Sequence, residues 1–217
     1  MNNYKFDIVH SLSGINAEDW NSLNNGNTVT SYEFLAALEE TGNVGDESGW
    51  LPAHLIATLN ERLVGSAPLY IKTHSYGEYI FDWAWADAYH RSGLDYYPKL
   101  VSAVPFTPTT GPRLLAADLD VKNALANAVL SFTKDNQLSS FHCLYPEEED
   151  LLVWKKSGCL LRKSIQFHWT NQNYENFTQY LSSMKSVKRK KIKQERKRVI
   201  DSDVKFRTIS GDQAWED

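Results

Sequence analysis

Residues 54–72 read HLIATLNERLVGSAPLYIK, and this stretch decides the fold class. Two strand-like runs, His54 to Leu59 and Leu63 to Lys72, flank the short connection Asn60-Glu61-Arg62. Short runs rich in β-branched and apolar residues are typical of β-strands, and a polar connection of this length is typical of a hairpin. We therefore predict a β-hairpin in this part of the chain.

Patterns typical of helices and of further strands lie on both sides of this hairpin. They predict a strand at Tyr4 to Val9, helices that begin after the capping residues Asn16 and Ser31, a strand at Glu78 to Ala86, a short helix at Tyr97 to Leu100, a helix at Asp118 to Gln137, a strand at Phe141 to Tyr145, a helix at Glu147 to Lys156, a strand at Leu160 to Trp169, one helix from about Tyr174 to about Ile200, a strand at Lys205 to Ile209 and a helix start at Asp212 to Asp217. Strands that alternate with helices in this way predict an α/β or α+β fold, with a sheet covered by helices.

The composition is that of an ordinary globular protein. Of the 217 residues, 42% are apolar and 23% are charged, which excludes disordered, collagen-like and coiled-coil chains. No run approaches the roughly 18 consecutive apolar residues of a membrane helix, and no signal peptide is recognisable, so we predict a cytoplasmic protein without membrane insertion. Two cysteines, Cys143 and Cys159, are too few for a disulfide scaffold or a four-cysteine zinc site.

The net charge of −4 conceals a strong asymmetry along the chain. Residues 185–198 contain nine basic residues and one acid, a net charge of +8, so the remaining 14 basic and 26 acidic residues give −12. A basic arm on an acidic body indicates an anionic partner at the arm, or association of the arm with the body. No aromatic residue lies between Tyr180 and Phe206 to stack on bases, which argues against generic RNA coating.

The segment from Lys72 to Tyr89 is the most unusual in the sequence. As an extended strand it would place large aromatic side chains on one face and Asp82, with Ala84 and Ala86, on the other. A shallow acidic face suits the floor of a ligand site; equally, the alanines could accommodate a packed helix while main-chain groups satisfy Asp82. An extended chain also separates the Cα atoms of Glu78 and Asp82 by about 13 Å, beyond the roughly 5 to 9.5 Å between glycosidase carboxyl groups.

Other familiar site patterns are absent from the sequence or stand in the wrong context. The motifs HExxH, CxxC, GxSxG and the Walker loop do not occur, and His142 and Cys143, adjacent on a strand, point to opposite faces and cannot chelate one ion. Residues 62–67 match the Arg-x-x-Gly-x-Ala phosphate signature of acyl-CoA-dependent acetyltransferases, but a strand follows where that mechanism needs a helix. We therefore predict no metal site, and a hairpin strand at residues 62–67.

Several longer stretches carry a family resemblance. They are Phe34 to Glu39, His74 to Tyr89, Tyr96 to Leu100, Val104 to Pro108, Gly111 to Leu115, Gln166 to Trp169 and Lys188 to Arg196. In these stretches the chain resembles a predicted N-acyltransferase family, labelled peptidoglycan biosynthesis/recognition proteins and distantly related to the Fem-type peptidoglycan transferases of the GNAT superfamily. The resemblance extends from about Ser31 to Arg198.

This resemblance implies two GNAT-type domains, each a mixed sheet flanked by helices, with a cleft between them. Residues 1–172 would be the N-terminal GNAT-like domain, residues 173–203 a long basic connecting helix, and residues 204–217 the beginning of a truncated second GNAT-like domain. On this expectation the chain is the first part of a longer enzyme and is inactive alone. The acyl donor would be acyl-CoA, as in GNAT enzymes, or aminoacyl-tRNA, as in Fem-type enzymes.

The leading hypothesis is an N-acyltransferase that transfers an acyl or aminoacyl group to an amine of a small-molecule or glycopeptide substrate. Asp82, Glu78 and His74 are the candidates to orient or deprotonate the amine. The candidate substrate-binding residues are Trp85, Tyr97, Lys99, Arg113, Gln166, His168, Lys188, Arg189 and Lys191. The last three would hold an anionic donor by charge. The competing hypothesis is a non-catalytic module that recognises an anionic glycopeptide or RNA through the basic helix, and the oligomeric state is left open.

Overall fold

A computed structural model of the protein describes residues 3–163 and 165–211. The chain divides into two compact units, with the boundary between Arg162 and Lys163. Within the described residues, the first unit contains all the β-strands and five α-helices, and the second contains two α-helices. None of these helices is both long enough and apolar enough to cross a membrane.

Seven α-helices are present in the described ranges. They are α1 (Ala17–Leu23), α2 (Tyr32–Glu40), α3 (Trp83–Arg91), α4 (Leu119–Asp135), α5 (Glu148–Lys156), α6 (Phe177–Ser182) and α7 (Ser186–Ile200). Side-chain oxygens of Asn16, Ser31 and Asp118 accept main-chain N–H groups at the starts of α1, α2 and α4, which satisfies donors that a helix start leaves free. These three helices and α5 confirm the predictions.

The seven strands of the described residues form two sheets. The strands are β1 (Lys5–Val9), β2 (Trp50–Pro52), β3 (His54–Leu59), β4 (Arg62–Ala67), β5 (Tyr70–Lys72), β6 (Lys99–Ser102) and β7 (Phe141–Cys143). One sheet is antiparallel in the order β1-β3-β4. The other has the order β2-β5-β6-β7 and is mixed, because β6 and β7 run parallel. Together with the helices, the sheets confirm the predicted α+β class.

The predicted hairpin is present, and its two arms belong to both sheets. Its turn lies at Asn60-Glu61, where both residues have a positive φ, 51° and 64°. Ala53 separates β2 from β3, and Pro68-Leu69 separates β4 from β5, so each arm leaves one sheet and enters the other. The Ala53 N–H donates to the Leu69 carbonyl at 2.9 Å and joins the arms at this crossing. The single strand predicted over residues 63–72 is therefore two strands, interrupted at a proline that has no N–H to donate.

Helix α4 packs across the antiparallel sheet and closes the main core. Its apolar face contributes Val121, Leu125 and Val129 to a buried cluster that includes Leu55 of β3. The helix approaches β4 closely at Gly65. A Cβ atom at that glycine would lie 2.6 Å from Val121 Cγ1 and 3.0 Å from Leu125 Cδ1.

Gly65→Ala is expected to lower the free energy of unfolding by about 1 to 3 kcal/mol, because the added methyl group overpacks the interface with α4. Gly14→Ala is the matched control, since a Cβ atom at Gly14 would meet no atom within 4 Å. Urea unfolding of both variants measures the difference. An unchanged unfolding midpoint for Gly65→Ala would show that α4 moves away from the sheet at no cost.

Two further predictions in the first unit are wrong. Residues 78–86 are not a strand, because the chain leaves β5 at Lys72 and enters helix α3 at Trp83. The alternating aromatic residues that suggested a strand have no partner strand in the described residues, and several are exposed. Residues 97–100 are not a helix, because Lys99-Leu100 belongs to β6 and pairs with β5.

The long basic helix predicted within residues 173–203 is divided into α6 and α7. The hydroxyls of Ser182 and Ser183 donate to main-chain carbonyls of α6, a contact that competes with continued helix formation. Lys185 then adopts an extended backbone, with a ψ of 144°, before α7 begins. The basic residues thus lie mostly on α7, a separate helix.

The strands predicted in the C-terminal part of the chain are absent from its described residues. Residues 160–163 and 165–169 form no strand, and their side chains are exposed. A strand was predicted over residues 160–169, but the described part of this stretch pairs with no strand of the described chain. Residues 205–209 form no strand either, and the helix start predicted at residues 212–217 lies outside the described residues.

Candidate functional site

Two lysines lie side by side in the mixed sheet. Lys72 ends β5 and Lys99 begins β6, and the two residues are directly opposite in the antiparallel register. Both are fully buried, with 0% of their surface exposed. A buried ammonium group is costly unless it is paired, so the partners of these two lysines define the site.

Lys99 binds two carboxylates and a hydroxyl. Its Nζ atom lies 2.9 Å from Glu78 Oε2, 2.6 Å from Asp82 Oδ2 and 2.9 Å from Ser75 Oγ. All three partners come from the segment between β5 and α3, so one ammonium group fixes this segment on the sheet. We call Lys72, Ser75, Glu78, Asp82 and Lys99 the lysine site.

Asp82 stands at the start of helix α3 but does not cap it. The residue occupies the N-cap position, yet its side chain makes no hydrogen bond to the helix. Its Oδ2 atom accepts instead from Lys99 Nζ and from the Tyr96 hydroxyl, which is 2.7 Å away. The carboxylate therefore serves the lysine site rather than the helix.

The two carboxyl groups of the lysine site differ in proton affinity. Burial raises the pKa of Glu78 above its ordinary value, and the charge of Lys99 offsets this only in part. Burial acts in the same direction on Asp82, but hydrogen bonds from Lys99 and Tyr96 outweigh it and lower the pKa of Asp82. Glu78 Oε1 and Asp82 Oδ1 are buried and accept no hydrogen bond from the described residues. Glu78 is thus the carboxyl that takes up a proton more readily.

Lys72 has weaker partners than Lys99. Its Nζ atom donates to the Tyr76 carbonyl oxygen at 3.2 Å and lies 3.9 Å from the centre of the Trp50 ring. Burial lowers the pKa of Lys72 to about 7; the charge of Glu78 opposes this shift, and that of Lys99 adds to it. Lys72 therefore gives up its proton more readily than an exposed lysine does.

The segment that carries Ser75, Glu78 and Asp82, together with the first turn of α3, also exposes aromatic rings. These rings are Tyr76, Tyr79, Phe81, Trp83 and Trp85. Tyr79 and Phe81 have positive φ values of 59° and 50°, a backbone region that bulky residues rarely adopt. Ile80 between them packs against a buried cluster, and the Tyr145 hydroxyl donates to the Tyr79 carbonyl at 3.0 Å. Unusual backbone that the surrounding structure holds in place is found most often at ligand sites and active sites.

The structure brings four of the predicted site residues together. Glu78, Asp82 and Lys99 are in direct contact, and Tyr97 joins them through Ser75, whose Oγ lies 2.8 Å from the Tyr97 hydroxyl. The separation of about 13 Å expected between the Cα atoms of the two acids assumed an extended strand, which residues 78–82 do not form. Both carboxylates bind the same ammonium group, so they are close neighbours.

His74 and Trp85 have no hydrogen bond to this group. The His74 ring packs edge-on against Tyr76, with ring centres 5.0 Å apart, and lies so close to Gly49 that a Cβ atom there would come within 2.4 Å of His74 Nε2. Burial and the charge of Lys72 lower the pKa of His74. Trp85 lies in the first turn of α3 and is 55% exposed.

Arg113, which was expected to line a cleft, is fully buried. Its guanidinium group donates to the carbonyl oxygens of Thr109, Pro112 and Leu144. The side chain therefore holds an irregular loop against β7 and has no free face for a substrate. This corrects the prediction that Arg113 lines a cleft, because a buried arginine whose side-chain nitrogens all donate to main-chain oxygens stabilises the fold.

Five predicted site residues belong to the second unit. They are Gln166, His168, Lys188, Arg189 and Lys191. His168 Nε2 lies 3.0 Å from Gln166 Oε1, and both side chains are exposed. The other three lie on α7, a helix with no buried residue; Lys188 and Lys191 are exposed, and Arg189 is half-buried.

One group of acids in the described residues has the spacing of metal ligands: Glu147, Glu149 and Asp150. The Lys122 ammonium group already lies among them, with its Nζ atom 3.5 Å, 2.6 Å and 3.0 Å from their carboxylate oxygens. A lysine thus supplies the positive charge that a metal ion would supply.

Sequence reasoning missed four residues at or beside the lysine site: Lys72, Ser75, Tyr96 and His142. The His142 and Tyr96 rings pack edge-on with centres 6.0 Å apart, and burial together with the charge of Lys99 lowers the pKa of His142 to about 4. One signal was available for Lys72. A lysine stands at the edge of each of two apolar runs, and four acids, Glu78 and Asp82 among them, lie in the sequence between the two lysines.

A family comparison covers nearly the whole chain. A FemAB-like family model, described as peptidoglycan biosynthesis/recognition, matches residues 11–217. No curated protein and no solved structure gives a significant match. The matched region contains the whole lysine site and both helices of the second unit. The chain therefore belongs to the FemAB-like family of peptidoglycan biosynthesis/recognition proteins.

Proposed function

We propose that the protein is an N-acyltransferase, which forms an amide from an amine and an activated acyl or aminoacyl donor. Membership of the FemAB-like family supports a role in peptidoglycan-related metabolism, with a small molecule or a glycopeptide as acceptor. The proposal includes the GNAT-type fold that the resemblance implies, a cytoplasmic location, and acyl-CoA or aminoacyl-tRNA as donor. The observation that carries it is the buried Glu78 carboxyl group, with its raised pKa and one unpartnered oxygen.

Amide formation requires the acceptor nitrogen to lose a proton as it attacks the acyl carbon. The new C–N bond forms, the bond from the acyl carbon to the donor oxygen or sulfur breaks, and the proton passes to Glu78 and then to the leaving group. A raised pKa suits Glu78 to both transfers, because a carboxylate of ordinary pKa is a weak base. Glu78 Oε1 is the oxygen that would accept the proton.

Asp82 and His74 have supporting parts in this mechanism. Asp82 stays ionised because Lys99 and Tyr96 donate to it, so it would orient the acceptor rather than exchange protons. His74 is the second candidate base, and its lowered pKa keeps it neutral near pH 7. Glu78 is only 2% exposed, so the mechanism requires neighbouring side chains to move when the amine binds.

Further candidate substrate-binding residues are Trp85 and Tyr97 in the first unit, and Gln166 and His168 in the second. Lys188, Arg189 and Lys191 on α7 are the candidates to bind donor phosphates. Exposed cations on α7 suit either donor, because coenzyme A and tRNA both carry phosphate groups.

The test measures amide formation by the full-length protein, with acetyl-CoA and aminoacyl-tRNA as donors and nucleotide-linked cell-wall precursors as acceptors. Glu78→Gln is expected to lower kcat by about 100- to 10,000-fold with little change in KM, and to remove the ionisation that limits the rate at low pH. Asp87→Asn, on the exposed side of α3, is the control and keeps the wild-type rate. Full activity of Glu78→Gln would contradict the assignment of the base.

A second candidate function is non-catalytic recognition of an anionic glycopeptide or RNA through α7. It is favoured by the exposure of that helix, which has no buried residue. Binding through its cations would weaken steeply as salt is added. The cations release counterions from the anionic partner, and this release becomes less favourable as the salt concentration rises. Salt-sensitive binding by the full-length protein, with no turnover of any donor, would support this function instead.

A further inference from the structure

Strand β1 has an open edge. In the sheet order β1-β3-β4 it pairs with β3 alone among the described strands, so half of its main-chain N–H and C=O groups face outward without a strand partner. The side chains of Phe6 and Ile8 pack against the main core, while Lys5 and Asp7 lie on the opposite face. The strand contains no proline that would block a further strand.

The sequence of β1 is complementary to itself. When two copies pair antiparallel with Phe6 opposite Phe6, Lys5 of each copy lies opposite Asp7 of the other, and Tyr4 lies opposite Ile8. Opposite charges and aromatic or β-branched residues are the cross-strand pairs that stabilise a sheet. In this register each residue lies opposite a residue of the same parity, odd with odd and even with even. Main-chain groups of alternate residues point to the same side of a strand, so the groups of one copy that point away from β3 face those of the other copy.

A groove beside β1 would be covered by the same arrangement. It has a volume of about 630 Å³ and lies between the sheet and α4. Its apolar lining includes Phe6 and Ile8 from β1 and Ala128 and Phe132 from α4. Directly opposite residues of paired strands point to the same face, so Phe6 of a second copy would point toward this side.

We propose that β1 is the interface of a homodimer, in which two antiparallel sheets join edge to edge into one six-stranded sheet about a two-fold axis. Charge selects a second copy as the partner. Natural edge strands commonly carry charged side chains that prevent pairing, because no opposite charge faces them on the neighbouring strand. Lys5 and Asp7, in contrast, each face the opposite charge when the neighbour is an identical strand. In one chain the two side chains already attract each other, with Lys5 Nζ 2.9 Å from Asp7 Oδ2.

The test is the oligomeric state of the full chain, measured by sedimentation over a range of concentrations. Wild type is expected to form a dimer. The dimer contains two pairs between positions 5 and 7. Asp7→Lys turns both into lysine–lysine pairs, and Lys5→Asp turns both into pairs of acids. Each variant should weaken the dimer about tenfold or more. The exchange variant that carries both substitutions restores every pair and should dimerise like wild type.

Two further samples separate this interface from others. An equimolar mixture of Asp7→Lys and Lys5→Asp should form a heterodimer, because each lysine then faces an acid. Asp95→Lys, an exposed substitution in the connection before β6, should leave the wild-type dimer unchanged. A monomeric wild type, or a dimer that neither single variant weakens, would overturn the proposal. The acyltransferase assay is independent, since none of these residues belongs to the lysine site.

Discussion

Lys99→Met is expected to lower the free energy of unfolding by about 3 to 5 kcal/mol, because removal of one partner leaves buried charges without compensation. The substitution preserves most of the side-chain volume but leaves Glu78 and Asp82 facing each other without the ammonium group that binds both. Urea unfolding at neutral pH measures the loss.

The pH dependence of Lys99→Met identifies the cause of its instability. Without the ammonium group, the pKa values of Glu78 and Asp82 would rise above their unfolded values. The loss in free energy of unfolding is then present above the folded pKa values and disappears as the pH falls through them. The difference in free energy of unfolding between variant and wild type should therefore become smaller in acid. A gap that is independent of pH would point to lost packing instead.

Lys72→Met is the matched control for this experiment. Lys72 is equally buried and lies directly opposite Lys99, but its ammonium group donates only to a main-chain carbonyl and faces the Trp50 ring. Its removal leaves no carboxylate at hydrogen-bond distance without a partner, so we expect a loss of about 1 kcal/mol. Equal losses in the two variants would contradict the central position given to Lys99.

Asp150→Ala is expected to lower the free energy of unfolding by about 3 kcal/mol or more, because it leaves three buried donors without their acceptor. The Asp150 carboxylate accepts the main-chain N–H groups of Arg113 and Leu114, at 2.5 Å and 2.9 Å, and the Lys122 ammonium group at 3.0 Å. Thermal and urea unfolding measure the effect.

Glu149→Gln provides the comparison for Asp150→Ala. Glu149 binds the same lysine at 2.6 Å, but its side chain is 59% exposed. Solvent screens an ion pair of this kind, so its loss should cost less than about 1 kcal/mol. If the two substitutions had similar effects, the main-chain hydrogen bonds of Asp150 would contribute little.

Local patterns predicted the parts of the fold that local forces determine. Asn16, Ser31 and Asp118 mark helix starts because their side chains reach main-chain donors only a few residues ahead. The apolar periodicity of α4 is equally local. The fold class followed from these elements and from the β3-β4 hairpin, whose turn is also a short-range feature.

The segment before α3 was misjudged because its determinants are distant in sequence. Alternating aromatic residues resemble a strand, but the path of the chain is set by Lys99 and by the Tyr145 hydroxyl, which lie far along the sequence. Asp82 gave no helix signal, since its side chain is used by that lysine instead of the helix.

The residues of the candidate site were predicted better than their arrangement. Glu78, Asp82, Tyr97 and Lys99 were all named, yet their mutual contacts depend on the register between β5 and β6, which the sequence does not reveal. Arg113 was misassigned for a related reason. Arginine is usually exposed, and only the fold shows that main-chain oxygens surround this one.

The hairpin of residues 50–72 couples the opening of the two sheets. Because its arms cross from one sheet to the other and are hydrogen-bonded at Ala53 and Leu69, neither sheet opens without disturbing the other. Amide hydrogens of both sheets should therefore exchange with solvent through shared opening events. A ligand held at Lys99 would slow exchange in β3 and β4 as well, so protection in the sheet that lacks the site would report its occupancy.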